Sequence, residues 1–302
     1  MSREQLIAMT RREMDNQQNN RIDLMPDVLR VPTADYYDAD RWQREVDGVF
    51  KRVPLALAFS SQITEPGDFI AMEVVGVPLI IVRDDEGETR AFVNQCSHRG
   101  NYVTNEESGN VKSFRCNYHA WNYNLKGDLI NILDEKNFGE VDKSCLGLTA
   151  LPVAERAGMI WVTLNPKSTL DIDLFLNGYG EMLENLRLAE THVAGQQVIE
   201  GPNWKVAYDG YRDFYHLPVL HSTSIGREST PKADYYSWGP HVRVTAPNRF
   251  EELEGVPEAQ WADGLMNSGV WTIFPNISIA GGVTGPYMVS QMFPGKTPHE
   301  ST

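Results

Sequence analysis

The alternation of apolar and polar residues changes character twice along the chain, and these changes predict its organisation. Residues 1–50 are mostly helical in pattern, and Trp42, Val46 and Phe50 recur every four residues as an amphipathic stripe. Residues 55–162 have the pattern of short strands separated by turns. Beyond them the pattern becomes helical and then strand-like again. We therefore expect a helical N-terminal segment, a β-rich domain and a mixed domain.

The β-rich stretch contains two recognisable hairpins and a closing strand. The predicted strands are residues 77–82, 89–93, 122–125, 129–132 and 157–163. Residues 84–87 and 126–128 form the turns, and both turns contain glycine, which favours tight reversals. The chain's Cys and His residues are expected at the tips of such hairpins.

The C-terminal part begins with a predicted helix over residues 171–188. A second helix is predicted to start at Asn203, a favourable N-cap residue, and to run to about Leu217, where Pro218 stops it. The apolar anchors of the first predicted helix, residues 171–188, are Leu174, Phe175, Tyr179, Met182 and Leu186. The predicted strands beyond are residues 235–246, 269–279 and 287–293.

Composition limits the class of protein. The 302 residues are 41% apolar, which is enough for a buried core, and the length permits one large domain or two. The formal net charge of -14 disfavours nucleic acid and anionic lipid as partners. Apolar runs such as residues 77–82 are too short to span a bilayer, and the N-terminus lacks a secretory signal pattern. We expect a cytoplasmic protein.

The chain has three cysteines, Cys96, Cys116 and Cys145, which does not suggest a disulfide framework. In a reducing compartment, Cys96 and Cys116 are free to act as thiolate ligands. Cys145 has no motif around it, and we expect it to be a small buried apolar residue.

Two short motifs place cysteine and histidine together. The first reads Cys96-Ser-His98-Arg-Gly100, and after 15 further residues the second reads Cys116-Asn-Tyr-His119-Ala-Trp121. A [2Fe–2S] cluster with mixed ligands needs both thiolates on one iron and both imidazoles on the other. Each loop then supplies one ligand to each iron. The motifs predict a cluster site.

A zinc site is the main alternative for these four residues. Zinc fingers usually carry a Cys pair followed by a His pair, whereas the order here alternates. The flanking His-Arg-Gly and Tyr-His-Ala-Trp residues have no role in a finger, so the pattern favours the iron–sulfur cluster.

A second constellation follows the predicted helix start at Asn203. Asp213 and His216 are three apart and would share a helix face, and His221 lies just beyond Pro218, where the chain must bend. Two His and a carboxylate with open positions are typical of non-haem Fe(II) oxygenases. A capped, solvated helix end explains the same spacing, so the spacing alone leaves both readings open.

Taken together, the motifs resemble those of Rieske non-haem iron oxygenases, also called aromatic-ring-hydroxylating dioxygenases, in their α subunit. The resemblance runs from about Tyr36 to Pro298 and includes the Asn-Trp-Lys opening at Asn203. It implies an α+β fold in which a β-rich Rieske domain accompanies a partial catalytic domain with a helix over an antiparallel sheet (helix-grip-like). The implied parts are residues 1–50 packing on the catalytic domain, 51–165 as the Rieske domain and 166–302 as the catalytic domain.

The resemblance also implies roles for individual residues. His216 and His221 would bind a mononuclear Fe(II), and Cys96, His98, Cys116 and His119 would hold the cluster. Asp213 would be catalytic without being a ligand, since it would bridge His216 and His119 of the partner subunit. Asp209, Tyr211, Phe214 and Leu217 are expected to line the substrate pocket, Asp209 near the iron.

The third iron ligand is not assignable from the sequence. Relatives supply an Asp or Glu well over a hundred residues after the second His, whereas only 81 residues follow His221. We expect a fragment whose C-terminal part is missing. Asp234 and Glu300 are alternatives that no pattern supports.

The expected function is oxygenation of a small, preferentially aromatic substrate with O2. Electrons would come from NAD(P)H through a reductase or a ferredoxin, and the assembly would be a homotrimer with or without a β subunit. Demethylation or hydroxylation of a quaternary amine is one alternative, because aromatic side chains also bind ammonium groups. An electron-transfer module without a competent catalytic iron is another.

Overall fold

The computed structural model describes residues 2–224, 231–245, 250–281 and 286–302. The chain divides into two compact units. The first, here called the β-rich unit, comprises residues 44–172 and 188–197. The second, here called the mixed unit, comprises residues 1–43, 173–187 and 198–302. Helices and antiparallel sheets are both present, so the predicted α+β class is confirmed.

The β-rich unit is built from three small antiparallel sheets with strand orders β1-β10-β9, β4-β3-β2-β5 and β6-β7-β8. Its strands are β1 Leu55–Phe59, β2 Asp68–Val74, β3 Val77–Arg83, β4 Thr89–Val93, β5 Ser108–Asn110, β6 Phe114–Arg115, β7 Asn122–Tyr123, β8 Leu129–Asn131, β9 Val153–Arg156 and β10 Met159–Val162. The two predicted hairpins are present as β3–β4 and β7–β8.

The β3–β4 hairpin shows how local chemistry fixes a turn. The β3 residues 79–82 are all fully buried, because β3 lies between β2 and β4. Asp84 closes the turn: its carboxylate accepts the backbone N–H groups of Glu86 and Glu88 and a 2.8 Å bond from Arg90 Nε. Burial alone would raise the pKa of Asp84, but these hydrogen bonds hold it below its usual value.

The mixed unit carries a five-stranded antiparallel sheet of order β11-β12-β13-β14-β15. Its strands are β11 Asp234–Trp238, β12 His241–Thr245, β13 Val270–Ile273, β14 Ile277–Gly281 and β15 Tyr287–Gln291. The helices of the chain are α1 Ser2–Gln18, α2 Ala34–Tyr37, α3 Ala39–Glu45, α4 Ile172–Leu176, α5 Tyr179–Leu183, α6 Trp204–Gly210, α7 Leu217–Leu220 and α8 Asp263–Met266. A π-turn at Val46–Phe50 follows α3.

Two predicted strands are each divided by a turn. The segment 235–246 is a hairpin, because Gly239 adopts a φ of +60° and reverses the chain between β11 and β12. The segment 269–279 turns at Pro275, which cannot donate a ladder hydrogen bond, so that Ile273 of β13 pairs with Ile277 of β14. Both segments are therefore strand-like, as predicted, but each contains two strands; residue 246 lies outside the described residues.

Both predicted C-terminal helices are shorter than expected. The first divides into α4 and α5 because Asn177 and Gly178 are left-handed, and Leu174 is exposed rather than an anchor. The second ends at Gly210, not at about Leu217, and Pro218 lies in the first turn of α7 instead of stopping a helix.

Helix α1 packs on the mixed unit's sheet through a buried charge. Glu13 and Arg243 are both fully buried, with 3.7 Å between Oε1 of Glu13 and a guanidinium nitrogen. Arg243 also donates to the backbone carbonyls of Met266 and Ser268 and lies over the ring of Trp271. Burial raises the pKa of Glu13. Removing either partner would leave the other charge buried and unpaired, which is strongly destabilising.

The start of α6 is tied to the C-terminal segment. Asn203 caps the helix by accepting from the backbone N–H of Lys205 at 2.9 Å, as predicted, and its amide donates to the carbonyl of Pro298 at 2.6 Å. Gly201 and Ser301 form a pair of backbone hydrogen bonds beside it.

Within the described residues, no helix is long and apolar enough to cross a lipid bilayer. Cys145 is exposed, with its thiol donating to the carbonyl of Asp142, so the expectation of a buried apolar residue was wrong.

One buried histidine makes the mixed unit sensitive to acid. His241 of β12 is fully buried, its Nε2 lies 2.8 Å from the carbonyl of Phe175, and its Nδ1 accepts the backbone N–H of Phe274 at 3.2 Å. This arrangement uses the neutral ring, and burial lowers the pKa of His241.

Because the unfolded chain takes up this proton first, we expect the free energy of unfolding to fall as pH drops below about 6.5, by up to about 1.4 kcal/mol per pH unit. Chemical denaturation over a pH series measures it. His241→Gln should lose this slope, whereas the exposed-site control His192→Gln should keep it. Equal slopes in the wild type and His241→Gln would contradict the prediction.

Candidate active site with two metal centres

The two Cys-His motifs fold into the same backbone turn. In each loop the residue four after the cysteine donates its N–H to the cysteine carbonyl, at 2.8 Å for Gly100 and 2.9 Å for Ala120. Both residues have positive φ, +74° and +58°. The cysteine N–H in turn donates to the residue five positions on. A positive φ costs glycine little, so the conformation of Gly100 is expected, whereas Ala120 is held in a conformation that its Cβ atom disfavours.

Polar side chains anchor the first loop. Asn94 is buried, donates to the carbonyl of Thr104 at 2.9 Å, and accepts the N–H groups of Val103 and Thr104. Ser97 donates to the carbonyls of Leu146 and Gly147 at 2.8 and 2.7 Å. These bonds fix the loop before any metal is considered.

The four predicted ligands are brought together and are sorted by type. The thiols of Cys96 and Cys116 are both buried and lie close enough for each to affect the pKa of the other. The rings of His98 and His119 lie 4.6 Å apart between centroids, and Trp121 stacks on His98 at 4.8 Å. Each loop therefore contributes one thiol to the thiol pair and one imidazole to the imidazole pair, as a mixed-ligand [2Fe–2S] cluster requires.

The electrostatics of the four residues suit metal ligation. Burial raises the pKa of the Cys96 thiol. Burial also opposes ionisation of Cys116, but N–H groups of Tyr118 and Asn101 hydrogen-bond its sulfur and leave its pKa below the usual value. Burial and the neighbouring His119 lower the pKa of His98, which favours the neutral ring that binds metal.

The residues present fit a two-iron cluster better than a zinc ion. The Nδ1 atom of His98 is shielded from solvent and has no hydrogen-bond partner, as a ring nitrogen reserved for a metal would be. A single zinc ion needs all its ligands to converge on one point. Among the described residues, no three His, Cys, Asp or Glu side chains do so. Two pairs, each serving one iron, are consistent with that finding.

The second centre brings Asp213, His216 and His221 together. Oδ2 of Asp213 lies 3.3 Å from Nδ1 of His216, and the rings of His216 and His221 are 5.3 Å apart between centroids. The predicted reason for this contact was wrong, since these residues do not share a helix: 211–216 form turns between α6 and α7. Asp213 instead accepts the N–H of Tyr215, which shapes the turn.

No described carboxylate completes this centre. Asp234 is buried against Asn16 and Arg12, and Glu300 accepts the backbone N–H of Lys296. Neither forms an ion pair or hydrogen bond with His216 or His221. Among the described residues no three side chains form a metal-binding group here, so the fit to iron rests on His216 and His221.

The expected pocket residues divide into two groups. Asp209 is exposed and accepts a 2.9 Å hydrogen bond from the Tyr36 hydroxyl, which raises the pKa of Tyr36. Tyr211 donates to the Ser290 hydroxyl at 2.8 Å. Both polar groups are thus occupied by partners within the mixed unit.

Phe214 and Leu217 belong to an apolar cluster beside His216, here called the apolar wall. Its members are Phe214, Leu217, Ala233, Val242, Val244 and Val270. The turn that carries the histidines is therefore packed on the face of the sheet that presents Val242 and Val244.

Sequence reasoning missed several residues around the centres. The hydroxyl of the fully buried Tyr123 lies 3.1 Å from Sγ of Cys96 and accepts the N–H of Ser97. Asn101 reaches Sγ of Cys116 at 3.7 Å. Tyr123 lies two residues after Trp121 on the inward-facing side of β7, and that alternation was the available signal.

Comparison with known families agrees with this geometry. The Rieske [2Fe-2S] domain family matches residues 53–146. The catalytic domain family of the ring-hydroxylating alpha subunit matches residues 188–302. The chain belongs to the Rieske oxygenase α-subunit family. The two domains of this family bind a [2Fe–2S] cluster and a mononuclear iron, so both predicted cofactors are confirmed at the level of the family.

Curated relatives of this α-subunit chain act on different compounds. It is 32% identical over 275 residues to a benzene 1,2-dioxygenase subunit alpha of Pseudomonas putida, covering 88% of this chain and 58% of the relative. It is 29% identical to the anthranilate 1,2-dioxygenase large subunit of Acinetobacter baylyi, covering 70% and 48%. A carnitine monooxygenase oxygenase subunit of Acinetobacter baumannii is 31% identical, covering 65% and 54%. The chain spans about half the length of these relatives.

Solved structures share the fold. A quaternary ammonium Rieske monooxygenase superposes with a TM-score of 0.76 at 22% identity, covering 93% of this chain and 78% of that one. A naphthalene 1,2-dioxygenase from Rhodococcus sp. gives 0.72 at 22% identity, covering 100% and 77%.

The Tyr123 hydroxyl generates a test of the cluster site. A donor to Sγ of Cys96 stabilises the more negative, reduced cluster, so Tyr123→Phe should lower the reduction potential by on the order of 50 mV, roughly 1.2 kcal/mol for one electron. An EPR-monitored redox titration measures this. The half-exposed Tyr102→Phe is the matched control and should leave the potential unchanged. An unchanged reduction potential in Tyr123→Phe would contradict the prediction.

Proposed function

We propose that this chain provides both iron centres of a terminal oxygenase that inserts oxygen from O2 into a small aromatic substrate. The observation that carries the proposal is the presence, in one chain, of a sorted Cys–Cys and His–His set and of a separate Asp213–His216–His221 site. When bound, the cluster supplies electrons and the mononuclear iron supplies O2 activation. The roles of the individual ligands and the division into residues 1–50, 51–165 and 166–302 are part of this proposal.

Asp213 has a defined role in the proposal. By accepting from Nδ1–H of His216, its carboxylate holds the proton on that atom and leaves Nε2 free to face the iron. The side chain is about half exposed, at 51%, so its remaining lone pairs are available to a group from another chain. We propose that this group is His119 of the partner subunit, in a homotrimer with or without a β subunit. The partner contact would relay electrons between the centres.

The apolar wall supports an aromatic substrate. It is built from aliphatic and aromatic side chains beside His216 and contains no charged member. Relatives named for aromatic substrates, such as the benzene 1,2-dioxygenase subunit, also support an aromatic substrate. The carnitine monooxygenase relative favours the second candidate, oxidation of a quaternary amine. A reductase or ferredoxin would deliver electrons from NAD(P)H. A cytoplasmic location, proposed with it, suits the free thiols of the cluster site.

The direct test supplies the iron-loaded chain with a reductase, labelled O2 and a panel of aromatic compounds and quaternary amines. Mass spectrometry should show label in the product. Product oxygen derived only from water would overturn the proposal. Iron analysis separates the electron-transfer alternative: an oxygenase holds a third iron besides the two of the cluster, whereas a transfer module holds the cluster alone.

Asp213→Asn tests the proposed relay. The amide keeps the shape but loses the charge that orients His216, so we expect product formation to fall by about 10- to 100-fold while reductant still reduces the cluster. Stopped-flow reduction and product assays separate the two steps. Asp85→Asn, at an exposed hairpin position, is the matched control and should behave as wild type. Unchanged product formation in Asp213→Asn would exclude the relay role.

A further inference from the structure

The guanidinium of Arg212, beside the proposed second iron centre, has no carboxylate partner within the part of the chain that the structure describes. Arg212 follows helix α6, is half-buried, and lies between Asp209 and the iron-site turn. Its backbone N–H donates to the carbonyl of Asp209 at 2.9 Å. The guanidinium carbon lies 5.7 Å from the ring centroid of Tyr208, four residues earlier on the inner face of α6.

The hydrogen-bonding capacity of Arg212 is largely unused. Its Nε is shielded from solvent and has no hydrogen-bond partner, and the side chain forms no ion pair with any residue that the structure describes. Other half-buried arginines are paired: Arg83 with Glu155 at 2.9 Å and Arg90 with Asp84 at 2.8 Å. In a chain with 41 acidic residues and a net charge of -14, a guanidinium without an acidic partner among the described residues is unexpected.

The two carboxylates nearest in sequence are engaged elsewhere. Asp209 accepts from the Tyr36 hydroxyl, and Asp213 accepts from His216 and from the N–H of Tyr215. The ring of Tyr208 interacts with the guanidinium through its π-face, which leaves the in-plane N–H donors free. The two terminal guanidinium nitrogens of Arg212, which are not among the shielded atoms, are therefore the donors that an external planar anion would meet.

A backbone hydrogen bond ties Arg212 to the hairpin that carries part of the apolar wall. The Tyr235 hydroxyl donates to the Arg212 carbonyl at 3.2 Å. Tyr235 pairs across the hairpin with Val244, which puts both side chains on one face of the sheet. Val244 belongs to the apolar wall with Phe214, which precedes His216 by two residues. An aromatic ring bound against Val244 would thus lie on the face of the hairpin to which the backbone of Arg212 is tied.

We propose that Arg212 binds a carboxylate group on the substrate, so that the chain prefers aromatic carboxylates to neutral aromatics. The inference rests on the proposed function, because it assigns a substrate class to that site. A guanidinium binds a carboxylate through two parallel N–H···O bonds, and the Tyr208 ring sets the plane of the fork.

Benzoate and benzamide are the test probes, since they have the same shape and differ in charge. Calorimetry on the iron-loaded chain without O2 should show benzoate binding about tenfold or more tightly than benzamide. Arg212→Gln should remove the preference, and Arg212→Lys should retain part of it, because lysine keeps the charge without the fork. The exposed-site control Arg30→Gln should bind as wild type.

The remaining outcomes either contradict carboxylate binding by Arg212 or separate that binding from the oxygenase function. Equal affinities for the probes in wild type, or an unchanged preference in folded Arg212→Gln, would overturn it. So would a change in sedimentation of Arg212→Gln without a change in preference, which would assign Arg212 to a contact between chains. Preference for benzoate without incorporation of labelled O2 into any substrate would refute the oxygenase and leave the carboxylate site standing.

Discussion

The sorting of four side chains into a thiol pair and an imidazole pair is the constraint on which the β-rich unit depends. A mixed cluster tolerates no other arrangement, because the two irons demand different ligands. Two loops with one backbone turn satisfy it: Cys96 and Cys116 occupy the same position in their turns, and Gly100 and Ala120 close them. Core side chains such as Phe69, Trp121 and Tyr123 pack against the cysteines. The sulfur ligands are therefore part of the core, whereas the histidines lie at its border.

The second centre obeys a looser constraint. Its histidines lie on a turn and a one-turn helix, and Asp213 holds one of them from outside. Two features of the mixed unit compensate for the lack of regular structure. Phe214 anchors the turn on the apolar wall, and Tyr36 fixes the end of α6 through Asp209. Polar contacts to the predicted ligands come from Asp213 at His216 and from Tyr123 and Asn101 at the cysteines, and packing of the chain supplies the rest of their positioning.

The sequence predicted features that depend on local chemistry. The β3–β4 turn follows from Asp84 and Gly87, and the α6 cap follows from Asn203. Features that depend on backbone conformation at one residue were missed, as at Asn177 and Gly239. The Asp213–His216 contact was predicted from helical spacing and occurs without the helix. Arg212 belongs to no motif, and only the structure shows that Asp209 and Asp213 bind other groups and that no other described carboxylate pairs with it.

Asn203 has a consequence for how the mixed unit opens. Its side chain holds the first turn of α6 with one group and the carbonyl of Pro298 with the other, and Gly201 pairs with Ser301 beside it. The helix that leads to the histidines and the segment 293–302 are therefore expected to open together in hydrogen exchange. Fluctuations that release the C-terminal segment would then expose the amides of α6 at the same rate, and stabilising that segment would slow the opening of the helix.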